Sequence, residues 1–132
     1  MSVVARSVSP MIGTWDSVIV DCPDPVALGR FYEQLLPMQI VSEEPDWVEL
    51  ASGPGARPLL MFQKVDGDYS PPQWPGQDVP QQMHIDVRVD DMDVAEQQVL
   101  ALGAVKAGSD HETFRVYLDP AGHPFCLVTP ND

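Results

Sequence analysis

A chain of 132 residues, 44% of them hydrophobic, can bury one core and is too short for two independent domains. Twenty acidic against seven basic side chains give a formal charge of −13, which repels phosphate backbones and anionic lipid and so excludes nucleic acid and charged membranes as partners. No stretch approaches the roughly 18 apolar residues of a bilayer span, and Met1 to Pro10 lacks a charged region followed by an apolar run, so the expectation is one acidic, cytoplasmic domain over residues 1–132.

In chain order, Asp16 to Cys22 is a β-branched run, and Pro23, Asp24 and Pro25 read as a turn and a helix start. Val26, Phe31, Leu35 and Leu36 recur near the helical period until Pro37 stops them. Strands follow at Met38 to Val41, at Trp47 to Ala51 and, after Gly53-Pro54-Gly55, at Leu59 to Val65. The order is β-α-β-β-β. Residues 66–82 hold prolines among polar side chains and read as a linker, with Tyr69 and Trp74 anchoring it to the surface.

The same order then returns. A strand opens at Met83, a turn falls at Asp90-Asp91, and a helix carrying Val94, Val99, Leu100 and Leu102 ends at Gly103. Strands at Ala104 to Ala107, Phe114 to Leu118 and Phe125 to Thr129 complete it. Ser17 overlays His84, Val20 overlays Val87, Asp24 overlays Asp91, Trp47 overlays Phe114 and Gly55 overlays Gly122. Such a repeat decides the architecture. The fold class is α+β: two βαβββ modules, about 14–65 and about 83–130, related by pseudo-twofold symmetry, with sheets curving around a concave cleft.

The segments VIVDCPDPVALGRFYEQLL, MHIDVRVDDMDVAEQQVLALGA and YLDPAGHPFCLV resemble the vicinal oxygen chelate superfamily, which contains glyoxalases, bleomycin resistance proteins and extradiol dioxygenases. The resemblance spans nearly the whole chain and is most specific in the last segment. It implies that enzymatic members hold one divalent metal, with one ligand from the first and one from the last strand of each module, and that the metal polarises substrate oxygens. Carried onto this sequence, those positions are His84, Cys126, Ser17 and either Leu60 or Gln63. His84 matches the pattern, Ser17 and Cys126 do not, and no choice within Leu59 to Gln63 gives a carboxylate or histidine, whereas a hard divalent ion wants several oxygen or imidazole donors. A soft ion such as zinc could use His84 and Cys126, but two ligands seldom make a tight site, so the expectation is no cofactor, with a divalent metal as the lesser alternative.

Strand alternation turns Ser17, Ile19, Asp21, His84, Asp86 and Arg88 toward the cleft and sets Val18, Val20, Cys22, Ile85, Val87 and Val89 against the helices. The ligand-binding candidates are His84, Asp86, Cys126 and Ser17, with aromatic walls from Trp47, Phe62, Phe114 and Tyr117. His111 and His123 fall in turns and are expected to be exposed. Cys126 and His84 would act as nucleophile and base only with a depressed thiol pKa and a third group to orient the base. Two distant cysteines give no disulfide framework.

An intact cleft with a broken ligand set implies a small-molecule binder of the sequestering or resistance type, working as a homodimer. The alternative is a metal-dependent lyase, isomerase or dioxygenase whose unusual ligand set combines His84 with groups such as Asp16, Gln63 or Glu49.

Overall fold

The computed structural model describes residues 15–108 and 110–129; the reading of Met1 to Pro10 falls outside them. The elements run β1 (Ser17–Cys22), α1 (Pro25–Leu35), β2 (Gln39–Glu44), β3 (Trp47–Ala51), β4 (Leu59–Lys64), β5 (Ile85–Arg88), α2 (Met92–Ala101), β6 (Val105–Ala107), β7 (Phe114–Leu118) and β8 (Pro124–Val128). They form two four-stranded sheets, ordered β1-β4-β3-β2 and β5-β8-β7-β6. In each, the first strand lies parallel to the last and the other pairs are antiparallel. The βαβββ repeat read from the sequence is the fold, and the sheets do not close on each other.

Local chemistry sets the helix ends. The Asp24 carboxylate accepts from Ala27 N at 3.2 Å and Asp91 accepts from Val94 N at 3.1 Å, each satisfying a free N–H of a first turn. Pro25 occupies the first turn of α1, where its missing N–H costs nothing. Past α2 the chain reverses at Gly103, whose φ of +110° suits glycine.

Helix α1 also carries a glycine for a packing reason. A Cβ on Gly29 would stand 2.7 Å from Val48 Cγ1 in β3, so the absent side chain lets the helix lie against the sheet. Alanine is the better helix former by about 1 kcal/mol, but here the clash decides the sign. Gly29→Ala is expected to lower stability by about 1–3 kcal/mol, read from urea unfolding; unchanged or higher stability would show that Val48 moves aside freely.

The helix-bearing faces of both sheets meet in one core containing Val20, Leu28, Phe31, Tyr32, Val48, Phe62, Val87, Val99, Tyr117, Phe125 and Leu127. Phe31 of α1 meets Phe125 of β8 edge to face, centroids 5.7 Å apart, and Tyr32 stacks on Phe62 at 5.4 Å. The Tyr32 hydroxyl donates to buried Asp119 at 2.6 Å, across the two modules.

His123 corrects an expectation. It is fully buried rather than exposed in its turn, because its ring fills the gap between that turn and the end of β1, where Nε2 donates to the Asp21 carbonyl at 2.9 Å. Linker residue Tyr69 packs against it and donates to the Ala121 carbonyl at 2.8 Å. Trp74 of the linker is half-buried and lies beside Gly108. Both aromatics anchor the linker.

Candidate functional site

On the second sheet, Asp86 pairs with Cys126 across β5 and β8, Cys126 with Val116 across β8 and β7, and Phe114 with Val128. Paired residues share a face, so these side chains stand on one surface while Val87, Phe125, Leu127 and Tyr117 take the core side. A cavity of about 390 Å³ lies over that surface, lined by His84, Asp86, Thr113, Phe114, Cys126, Val128 and Thr129. Phe114 and Val128 make apolar walls, and the other groups are polar. A larger cavity of about 440 Å³ lies between the helix ends, bounded by residues such as Leu35, Val99 and Leu102. Its polar lining comes from Gln34, Arg88 and Gln98, and it contains none of the ligand-binding residues expected from the sequence.

His84 Nε2 stands 3.1 Å from Cys126 Sγ and 3.0 Å from Asp86 Oδ1. The Cys126 side chain is buried, whereas those of His84 and Asp86 are 41% and 62% exposed. The nucleophile–base reading is not supported: Asp86 stands against the same ring nitrogen as Cys126 and so does not orient the base through the other one, and the thiol is not acidic. Burial first, and the Asp86 carboxylate beside it second, push the Cys126 thiol up to about 11, and burial pushes Cys22 up to about 12. A thiolate is the reactive form, so both thiols of the native protein are expected to react with iodoacetamide at neutral pH more slowly than free cysteine. A faster rate at Cys126 would restore the nucleophile.

The other candidates are placed apart. Phe62 and Tyr117 are wholly buried on the core side, Phe62 stacked on Tyr32 and Tyr117 on Phe125 with its hydroxyl donating to Glu96 at 2.8 Å. Each belongs to the opposite alternation from Met61 and Val116, so neither forms a wall of the cavity. Trp47 is half-buried on the first sheet, donates from Nε1 to Glu49 at 2.7 Å and packs on Ala51, Leu59 and Met61. Ser17 is half-buried in β1, and its carbonyl accepts from Trp15. The cavity over His84 takes none of its lining from the first module.

Register also corrects the position equivalent to Cys126. Ile19 pairs with Met61 as Asp86 pairs with Cys126, so the equivalent is Met61 and not Leu60 or Gln63. The overlay slips because the β3–β4 connection, 52–58, is two residues longer than the β7–β8 connection, 119–123. Ser17 and Met61 offer one hydroxyl and one thioether, on a different sheet from His84. These residues do not fit a hard divalent ion shared between modules.

Thr113, Val128 and Thr129 were missed as lining residues. Alternation from Cys126 reaches Val128, and pairing of Phe114 with Val128 brings in the rest; the legible signal was there.

The sequence pattern of the glyoxalase-like domain family matches residues 17–128. No curated protein matches the sequence significantly. Among solved structures, the chain is similar to a glyoxalase/bleomycin resistance protein/dioxygenase family enzyme from Burkholderia phytofirmans PsJN, with TM-score 0.66 and 19% identity over 86% of this chain and 96% of that one. It is similar to a possible glyoxalase from Bacillus cereus, with TM-score 0.61 and 13% identity over 89% and 99%. It is also similar to TnmS3, an antibiotic binding protein from Streptomyces sp. CB03234, with TM-score 0.56 and 20% identity over 93% and 100%. At these identities the likeness is one of fold.

Proposed function

The chain belongs to the glyoxalase-like domain family, within the vicinal oxygen chelate superfamily, and on that premise we propose that it binds a small molecule on the open face of its second sheet, as a sequestering protein. One observation carries this reading: the cavity over His84, with an aromatic and an aliphatic wall and a few polar groups converging on it. Such a surface suits a ligand with a flat apolar body and a polar end. Phe114, already stacked on His111 with ring centroids 4.3 Å apart, supplies the flat wall. Asp86 and the −13 charge favour a ligand whose polar end donates hydrogen bonds or carries positive charge.

The same reading makes the protein a homodimer. Strand β1 is a sheet edge, and it exposes Val18 and Ile19 at 43% and 49%, an apolar edge that folded proteins ordinarily cover. Sedimentation velocity is expected to show a dimer that Ile19→Lys converts to monomer. A monomeric wild-type protein across the accessible concentrations would refute the dimer.

The binding test is a thermal-shift screen with aromatic amines and phenols of one to three rings. A compound present at a hundred times its Kd adds about 2.7 kcal/mol of stability, a shift of several degrees, and the shift is expected to vanish in Phe114→Ala. No response from the panel, or an equal response in the variant, would contradict the proposal.

A further inference from the structure

We propose that the cavity between the helices is a second small-molecule site, one that takes a carboxylic acid carrying a single aromatic ring. The cavity originates in the repeat itself. Counted from the capping aspartates Asp24 and Asp91, the places that Leu28, Phe31 and Tyr32 hold in α1 fall to Ala95, Gln98 and Val99 in α2. The first three are large and buried. Their counterparts are smaller, and all three line the cavity of about 440 Å³. The second helix thus leaves open a volume that a leucine and two aromatic rings take up in the first.

The floor keeps this space from collapsing. Val87, Val99 and Leu127 belong to the core shared by both modules, so closing the gap would displace β5 and β8 from close packing. The rim residues Leu35 and Leu102 are only partly buried. An apolar notch of this size takes an apolar body, and a flat ring has the shape of the side chains that α2 lacks.

The charge of the occupant follows from the lining. Among the described residues no aspartate or glutamate lines the cavity, although the chain has 20 acidic side chains. Arg88, the last residue of edge strand β5, does line it. Arg30, Arg57, Lys106 and Arg115 are each held by carboxylates, whereas Arg88 has no ion pair among the described residues and is exposed. A guanidinium grips a carboxylate through two parallel N–H donors, and the Gln98 amide on α2 can add a third. An amine would meet like charge here. The surface that holds Asp86 has the opposite preference, so the two cavities sort ligands by charge.

This site is independent of the one over His84, and its test uses the full chain with 3-phenylpropionate. Isothermal titration calorimetry is expected to show saturable one-to-one binding of the acid, weaker binding of 3-phenylpropanamide and none of 3-phenylpropylamine. Arg88→Gln is expected to lower affinity for the acid about tenfold or more and to leave that for the amide unchanged. Gln98→Phe supplies the ring found at the same place in α1 and is expected to abolish binding of the acid. Both positions are exposed, and circular dichroism verifies that each variant is folded. In the 15N-labelled protein the acid is expected to shift the amides of Leu35, Val99 and Leu102 and to leave those of Phe114, Val128 and Thr129 in place. Absence of saturable binding, equal acid affinity in Arg88→Gln, or undiminished binding by Gln98→Phe would overturn the site. Shifts centred on Phe114 and Thr129 would put the acid on the open face and overturn it as well.

Discussion

Replacing Phe125 by alanine is expected to destabilise the protein by about 3–5 kcal/mol, the cost of emptying the space of a buried phenylalanine. Phe125 is fully buried and sits where the modules join. Its ring lies 5.7 Å from Phe31 of the first module and 5.7 Å from Tyr117 of the second. No neighbour is free to collapse into the gap, because Phe31 is fixed by its helix and Tyr117 by the bond from its hydroxyl to Glu96. Urea denaturation measures the loss, and a change below about 1 kcal/mol would show that the two sheets do not share one core.

The second large effect is at Asp119, which accepts from Tyr32 Oη at 2.6 Å, Ala121 N at 2.8 Å and His123 N at 3.0 Å. Asp119→Ala strands three buried donors, each worth about 1–3 kcal/mol when left without a partner, though not additively. Asp119→Asn keeps an acceptor for the turn and is expected to lose much less. The pH response has a definite sign. Burial raises the Asp119 carboxyl above its ordinary range, so the folded state holds this proton more tightly than the unfolded chain. Its contribution to stability is therefore present at low pH and falls as pH rises through the raised value. The Asn variant lacks that slope. Equal losses in the Ala and Asn variants would show that the acceptor oxygen Asn retains does not hold the turn.

The architecture was legible because the repeat is written in strong local signals. Asp24 and Asp91 cap corresponding helices, and the alternation read for Ser17 to Cys22 holds at buried Val20 and Cys22 but not at Val18, which was expected against the helix and is 43% exposed at the start of the edge strand. What escaped was register. Two extra residues between β3 and β4 displaced the overlay and hid Met61 behind Leu60 and Gln63. Phe62 and Tyr117 were read as cleft walls for being aromatic, although alternation along β7 already sets Tyr117 on the face opposite Phe114. His123 was read as a turn residue, and its burial depends on the end of β1 and on linker residue Tyr69, contacts that no local pattern records. At the site, His84, Asp86 and Cys126 were named from the sequence, but their convergence on one nitrogen required strands paired in a definite register.

Nuclear magnetic resonance tests the central claim most directly. The 15N-labelled protein is titrated with the most stabilising aromatic amine or phenol of the thermal-shift panel. Amide shifts are expected at His84, Asp86, Phe114, Val128 and Thr129, with those of Leu35, Val99 and Leu102 unmoved. Shifts confined to the cavity between the helices, or spread without focus over the chain, would contradict a ligand site on the open face of the second sheet.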